Sequence, residues 1–218
     1  MTHCLNTKGV LFKMSRKLLF STALICLISF ANLSATHAAS KTVNDLKAAY
    51  LGETTAHSKY AVYAKIANKE GYKDVARLFR AASVAESIHA RNHKRALEQL
   101  GVRNPKAGEF AASKAKTTRQ NLQDAIKGET YEKDIMYPGM LKDARQENKK
   151  GAIQSFSFAL QVERQHAALY TAALKSLSKN TRPVNYYVCP VCGSTFRNVA
   201  PRSCPVCGTA RERFISVR

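Results

Sequence analysis

Two Glu-x-x-His motifs constrain this chain more than any other feature of its sequence. Glu86 and His89 form the first, and Glu163 and His166 form the second. Residues three apart leave an α-helix on the same face, and in both segments that face also carries apolar side chains. A buried carboxylate is costly if it stays ionised and unpaired, so a positive group, most simply a metal ion, is expected inside. For one such motif alone, a half-solvated pair at the edge of the apolar face is the more frequent arrangement.

Hydrophobic periodicity predicts four long helices. They cover about 42–68, 73–100, a stretch from 118 that includes Met140, and 150–178. Gly71 and Gly101 end the first two helices, and Pro138 is expected to kink the third or to interrupt its hydrogen bonding. Residues 102–116 contain an Asn-Pro pair and scattered small residues, which is typical of a long crossover connection.

Two further glutamates complete the pattern. Glu53 precedes Glu86 by 33 residues, and Glu129 precedes Glu163 by 34. Each half of the bundle therefore pairs a helix with one inward glutamate and a helix with an inward Glu-x-x-His. This is the arrangement of di-iron carboxylate bundles. The sequence therefore predicts a mainly α chain in which residues 40–179 form a ferritin-like four-helix bundle with one long crossover. The bundle is predicted to carry six di-iron ligands: Glu53, Glu86, His89, Glu129, Glu163 and His166.

The C-terminal segment, residues 184–218, carries two Cys-Pro-Val-Cys-Gly sequences, with 11 residues between the two cysteine pairs. Their cysteines are Cys189, Cys192, Cys204 and Cys207. Two such turns predict a closed tetrahedral site of four thiolates, for which zinc and a single iron are equally suitable. A pair of disulfides is the alternative in an exported protein. The segment is predicted to form a small rubredoxin-like or zinc-ribbon β module.

Residues 1–39 have the layout of a secretory signal peptide. They contain no acidic residue, and four basic ones precede an apolar run at 18–30 that is followed by small residues up to Ala39. Met14 is an alternative start. The pattern predicts an exported, periplasmic protein. A membrane-anchored protein is the alternative if the apolar run is retained, although 13 residues are few for a membrane span.

The formal net charge of +20 raises the question of nucleic-acid binding. The basic residues are spread along every predicted helix, as on ordinary solvated faces. Together with the export signal and the metal-ligand types on core faces, this argues against a nucleic-acid partner. The charge itself is left without a function.

Over residues 42–218 the sequence resembles rubrerythrins, which join a ferritin-like di-iron bundle to a short Cys4 module. The first helix carries the family's Gly-Glu sequence at 52–53, and the second and fourth helices carry its Glu-x-x-His motif. The most specific match is in the third helix, where Gly128-Glu129-Thr-Tyr-Glu132 is followed by Met136-Tyr137-Pro138. Ordinary ferritin-like sites have one glutamate in this helix, whereas rubrerythrins have two.

The resemblance implies a homodimeric peroxidase that reduces hydrogen peroxide to water in oxidative-stress defence. It implies two irons in the bundle and one in the Cys4 site, from which electrons pass across a subunit interface. By the resemblance, Glu132 ligates one iron in the oxidised state, and on reduction that iron moves towards His89. Tyr60 and Tyr137 match family tyrosines that hydrogen-bond the ligand carboxylates.

Some features depart from the family. The signal peptide is unusual, so the electron-donor protein is unidentified, and the gap between the cysteine pairs is about one residue short. An iron-oxidising, iron-sequestering ferritin-like protein with a structural zinc ribbon is therefore an alternative. His57 and His93 are interpreted as polar positions beside the site or at the bundle end rather than as ligands.

Overall fold

The structure is a computed structural model that describes residues 40–179 and 184–218, so the predicted signal peptide lies outside the described residues. Five α-helices form the bundle: α1 Lys41–Lys69, α2 Lys73–Gln99, α3 Thr118–Tyr131, α4 Tyr137–Gln146 and α5 Lys150–Lys175. The predicted third helix corresponds to α3 and α4 with a π-helical turn, Glu132–Met136, between them. The four-helix bundle with one long crossover is thus confirmed. No helix within the described ranges is long and apolar enough to cross a membrane.

The interruption of the third helix is explained by Pro138. Proline has no N–H for the carbonyl four residues before it, and its ring crowds that carbonyl. The chain inserts an extra residue at this point, so the Tyr137 N–H bonds to the carbonyl of Glu132, five residues back. Such π turns are frequent at functional sites.

Two apolar clusters fill the bundle, one on each side of its polar centre. One contains Tyr60, Phe79 and Tyr170, and the other contains Tyr137 and Phe156. Along α2, the ligand-bearing turn lies between the residues of these two clusters. The packed aromatic layers therefore close the centre of the bundle to water at both ends.

The start of α1 is attached to the end of α4. Ser40 is the N-cap of α1, and its hydroxyl donates to Glu147 Oε2 at 2.5 Å. The other Glu147 oxygen accepts from the Lys41 backbone N–H at 2.8 Å. A carboxylate at a helix N-terminus satisfies free N–H groups and complements the helix dipole.

The C-terminal module is a three-stranded antiparallel sheet. Its strands are β1 Tyr186–Val188, β2 Thr195–Arg197 and β3 Ile215–Val217, and the spatial order is β2-β1-β3. Two metal-binding turns project from the sheet, and we call residues 189–193 the first knuckle and residues 204–208 the second knuckle. Each knuckle ends in a glycine with positive φ, 86° at Gly193 and 75° at Gly208.

Candidate metal centre

Four buried side chains from α1, α2 and α5 form one potential metal site. The Nδ1 atom of His89 lies 2.9 Å from Glu86 Oε2 and 2.9 Å from Glu163 Oε1. The same nitrogen lies 3.6 Å from Glu53 Oε1. All four residues contribute a ligand atom within 4.8 Å of the others.

A second group lies next to the first and shares two of its carboxylates. His166 Nδ1 lies 3.0 Å from Glu163 Oε2 and 3.2 Å from Glu86 Oε1. Glu129 Oε2, from α3, lies 3.7 Å from the same nitrogen. Glu86 and Glu163 thus present one oxygen to each group, as carboxylates that bridge two metal ions do. The structure brings all six predicted bundle ligands together.

The donor set fits two divalent cations. The four carboxylates are at most 2% exposed and carry four negative charges when ionised, which two divalent ions neutralise. Nitrogen and oxygen ligands at about 2.0–2.2 Å from one ion lie about 3–4 Å apart, which is the spacing found here. One oxygen of each ligand carboxylate has no hydrogen-bond partner among the described residues: Glu53 Oε2, Glu86 Oε2, Glu129 Oε2 and Glu163 Oε1.

The pKa directions also describe a centre that attracts positive charge. Burial alone lowers the pKa of His89, but Glu163 and Glu53 outweigh it and raise that pKa well above its usual value. Burial, and after it the charge of Glu86, raises the pKa of Glu163 well above its usual value. The carboxylates repel one another at this separation, so the arrangement needs cations, either protons or metal ions.

The Cys4 module orients both predicted histidine ligands, one through the first knuckle and the other through β2. His89 Nε2 lies 3.1 Å from the backbone carbonyl of Cys192, to which it donates its N–H. His166 Nε2 lies 3.2 Å from the hydroxyl of Thr195, which itself donates to a carbonyl. Because both Nε2 atoms donate, the Nδ1 atom of each imidazole, when neutral, carries the lone pair and faces the carboxylates. The sequence contains no local signal for these contacts.

Two tyrosines hold the outer carboxylates, as the resemblance implies. The Tyr60 hydroxyl donates to Glu129 Oε1 at 2.5 Å, and the Tyr137 hydroxyl donates to Glu53 Oε1. A third tyrosine, Tyr170, is fully buried with its ring 5.5 Å from that of Tyr60.

Glu132 lies outside both groups of ligand atoms. It begins the π turn and is half-buried. Burial and the neighbouring carboxylates, Glu129 first among them, raise the pKa of Glu132 well above its usual value. In this structure His89, and not Glu132, completes the group that contains Glu53.

The two remaining bundle histidines do not coordinate. His93 is fully buried between Tyr137 and Ser155, and its Nε2 is 3.8 Å from Glu53 Oε1. His57 bonds through Nδ1 to the backbone and hydroxyl of Ser83. Neither histidine belongs to the two groups of ligand atoms, and His93 lies beside the site.

The four predicted cysteines form the second metal-binding group, and all four are free thiols within 4.8 Å of one another. Cys189 Sγ lies 3.4 Å from Cys207 Sγ. Cys192 Sγ lies 3.5 Å from Cys204 Sγ. A tetrahedral site with metal–sulfur bonds of about 2.3 Å has sulfurs about 3.8 Å apart, so the group fits one ion. A hydrogen bond from Cys192 lowers the pKa of the Cys189 thiol to about 4, which favours the thiolate that a metal binds.

The two knuckles have the same sequence but different surroundings. An added Cβ at Gly193 would lie 2.6 Å from His89 Nε2, whereas one at Gly208 would have no atom within 4 Å. Val191 and Pro190 of the first knuckle accept hydrogen bonds from α2 through their carbonyls. The first knuckle thus packs against the bundle, and the second is more exposed to solvent.

The fold and both groups define the class of protein. A helical bundle with paired carboxylates and histidines, joined to a Cys4 β module, is a ferritin-like di-metal carboxylate protein with a rubredoxin-like domain. The rubrerythrin family model matches residues 44–174, and the model of the rubredoxin-like domain of rubrerythrin matches residues 187–215. The chain belongs to the rubrerythrin family.

Two curated relatives and one solved structure illustrate the similarity. Rubrerythrin-2 of Clostridium acetobutylicum is 37% identical over 177 residues, which cover 79% of this chain and 95% of the relative. Nigerythrin of Nitratidesulfovibrio vulgaris is 34% identical over 179 residues, covering 81% of this chain and 87% of the relative. The structure of fully reduced, all-ferrous nigerythrin matches with a TM-score of 0.75 and 30% identity, over 94% of this chain and all of that one.

Proposed function

We propose that this chain is a rubrerythrin-type peroxidase that reduces hydrogen peroxide to water in defence against oxidative stress. The proposal assigns two irons to the carboxylate–histidine groups and one iron to the Cys4 site. Two ferrous ions supply one electron each, which matches the two electrons that one peroxide requires.

The observation that carries the proposal is the hydrogen bond between the Cys192 carbonyl and His89. It connects a cysteine of the Cys4 group to a histidine of the di-metal group through one short contact. A zinc ribbon with a purely structural role has no need of such a contact. It suits a site that passes single electrons into the bundle.

The protein side chains have distinct roles in this function. Tyr60 and Tyr137 hold the outer carboxylates, so these ligands keep their orientation when the charge of the site changes. Glu132, whose pKa is raised by burial and by its carboxylate neighbours, holds a proton more readily than an ordinary glutamate. It can give up that proton when positive charge increases nearby, and its carboxylate is then free to bind.

Metal analysis with an absorption spectrum tests the proposal. We expect about three irons per chain and thiolate-to-iron bands that bleach under an artificial reductant before peroxide is consumed. Zinc in the Cys4 site, with slow peroxide turnover and retained ferrous-iron oxidation, would instead support the ferritin-like storage protein.

We also propose that the protein is exported and that its electron donor is a protein of the same compartment. Cleavage after Ala39 leaves Ser40, the N-cap of α1, as the first residue of the mature chain. The mature chain would therefore begin where the bundle begins. Sequencing the N-terminus of the native protein tests this, and retention of residues 18–30 would indicate a membrane anchor.

A further inference from the structure

His93 belongs to a continuous chain of hydrogen bonds that ends on a predicted metal ligand. Its Nε2 lies 3.0 Å from the Tyr137 hydroxyl, and its Nδ1 lies 2.8 Å from Ser155 Oγ. Tyr137 in turn bonds to Glu53. His93 and Tyr137 are fully buried, and Ser155 is 5% exposed.

The number of available protons determines which atom donates in each of these hydrogen bonds. A carboxylate only accepts, so the single hydroxyl proton of Tyr137 is donated to Glu53. The Tyr137 oxygen must then accept from the Nε2–H of His93. In the neutral imidazole the other nitrogen is an acceptor, so Nδ1 accepts from the Ser155 hydroxyl. Every donor therefore points towards Glu53.

The outer end of the chain reaches solvent. Ser155 lines a cleft of about 270 Å³ at the junction of the bundle and the Cys4 module. The exposed side chains of Arg95, Gln99 and Gln154 form part of its wall, and so does Cys207. Water in this cleft can replace a proton that leaves the serine hydroxyl.

We propose that Ser155, His93 and Tyr137 deliver protons from this cleft to the Glu53 side of the di-metal site. The inference rests on the proposed function, because reduction of one hydrogen peroxide by two electrons consumes two protons and forms two waters. For each proton that Tyr137 passes to Glu53, His93 Nε2 gives one to Tyr137, Ser155 gives one to His93 Nδ1, and cleft water gives one to Ser155 and leaves as hydroxide. Ser155, His93 and Tyr137 therefore each have the same charge before and after a transfer. His93 is then the Nδ1–H tautomer, so its ring must reorient before a second proton can pass.

The protein contains a second buried serine–histidine pair, which serves as a control for Ser155 and His93. Ser83 is also buried, and its hydroxyl lies 3.0 Å from His57 Nδ1 and donates to the His57 backbone carbonyl. Among the described residues, no side-chain hydrogen bond joins this pair to a predicted di-metal ligand. Ser155→Ala removes the entry of the proposed route, Ser155→Thr restores a hydroxyl, and Ser83→Ala removes a comparable serine–histidine bond elsewhere.

The first measurement is peroxide turnover of the iron-loaded proteins in H2O and D2O with saturating artificial reductant. For Ser155→Ala we expect kcat to fall about tenfold with an unchanged KM for peroxide and a larger solvent isotope effect. Ser155→Thr and Ser83→Ala should behave as the wild type. An unchanged kcat in Ser155→Ala, or a loss that threonine does not restore, would overturn the route.

The second measurement does not depend on activity. In the zinc-loaded full chain labelled with ¹⁵N-histidine, NMR should show His93 as the neutral Nε2–H tautomer. The Nδ1–H tautomer would reverse the donors and overturn the route. A wild-type protein that consumes no peroxide would overturn the proposed function and the route with it. Turnover without the Ser155 effect would overturn the route alone.

Discussion

At the scale of single residues, two glycines in identical sequences have different roles. Gly193 and Gly208 both follow a Cys-Pro-Val-Cys turn and both adopt positive φ. Only Gly193 lies against His89, because only the first knuckle packs on α2. The absence of a side chain at Gly193 therefore allows the Cys4 module to approach the di-metal site.

Alanine at these two positions separates backbone strain from contact with the site. Gly208→Ala should lower the free energy of unfolding by about 1–2 kcal/mol, the cost of a Cβ in the left-handed region. Gly193→Ala should lower it further and displace His89, so that the bundle retains less metal. Unfolding curves and metal content measure the two effects. Equal metal content in both variants would contradict the role given to Gly193.

Glu132 is the residue whose role most directly tests the peroxidase mechanism implied by the resemblance to rubrerythrins. Glu132→Ala should reduce peroxide turnover about 10- to 100-fold, because it removes a proton carrier and a carboxylate next to the site. Asp134→Ala, which removes an exposed carboxylate from the same π turn, is the matched control. Steady-state peroxide kinetics compare them. Equal turnover in Glu132→Ala and wild type would show that the role given to Glu132 is wrong.

At the scale of elements, the bundle depends on contacts at helix ends as well as on apolar packing. Glu147, just after α4, binds the first N–H groups of α1 and the Ser40 hydroxyl. The hydrogen bond from Ser40, ahead of those from Thr42 and Lys41, lowers the pKa of Glu147 to about 2 from 4.5. This carboxylate connects the first helix to the second half of the bundle.

The lowered pKa makes a pH dependence testable. Because protonation is disfavoured in the folded protein, the stabilisation by Glu147 is full above about pH 4.5 and is lost as the pH falls towards 2. Glu147→Gln should lower the free energy of unfolding by about 1 kcal/mol at neutral pH and by less in acid. Denaturant unfolding from pH 7 to 3 measures this. Exposed Glu109 provides the control Glu109→Gln, and a pH-independent difference would contradict the assignment.

At the scale of the whole molecule, the Cys4 module contacts the di-metal histidines of its own chain. The resemblance to rubrerythrins implies transfer across a subunit interface, whereas Cys192 and His89 here bond within one chain. Arg91 and Asn92 donate hydrogen bonds to the first knuckle, Gln165 Oε1 accepts one from the Thr195 N–H of β2, and these bonds hold the same arrangement. These contacts provide a route for electron transfer inside each chain, and transfer between subunits stays a prediction of the resemblance.

Mixed assemblies test this prediction. A chain with Cys192→Ser and Cys207→Ser lacks a working Cys4 site, and a chain with Glu53→Ala lacks a working di-metal site. Co-expressed and co-purified, the two should show no more peroxide turnover than the separate variants if transfer is intrachain. A wild-type and variant mixture of equal composition is the control. Activity near half that of the wild type in the mixed assembly would place transfer between chains.

A part of the site is predictable from the sequence when its residues are close together in the chain, and it is not when they meet only through packing. Glu86, His89, Glu163 and His166 were predictable because α-helical periodicity places residues three apart on one face. The Cys4 site was predictable because each Cys-x-x-Cys turn is a local unit. The chain from Ser155 through His93 to Tyr137 was not, since it joins three helices whose side chains meet only after packing. The exact position of the π turn was equally hidden, although Pro138 indicated an interruption.

The sequence by itself determined the helical bundle, six candidate metal ligands on its inner faces and a group of four cysteines, because periodicity and short spacing encode these directly. Only the tertiary structure decided which carboxylates face both metal positions, which nitrogen of each histidine faces them, and which knuckle contacts the bundle. The physical reason is that these choices depend on hydrogen bonds and close contacts between residues far apart in the chain. Packing creates those contacts, and no local pattern records them.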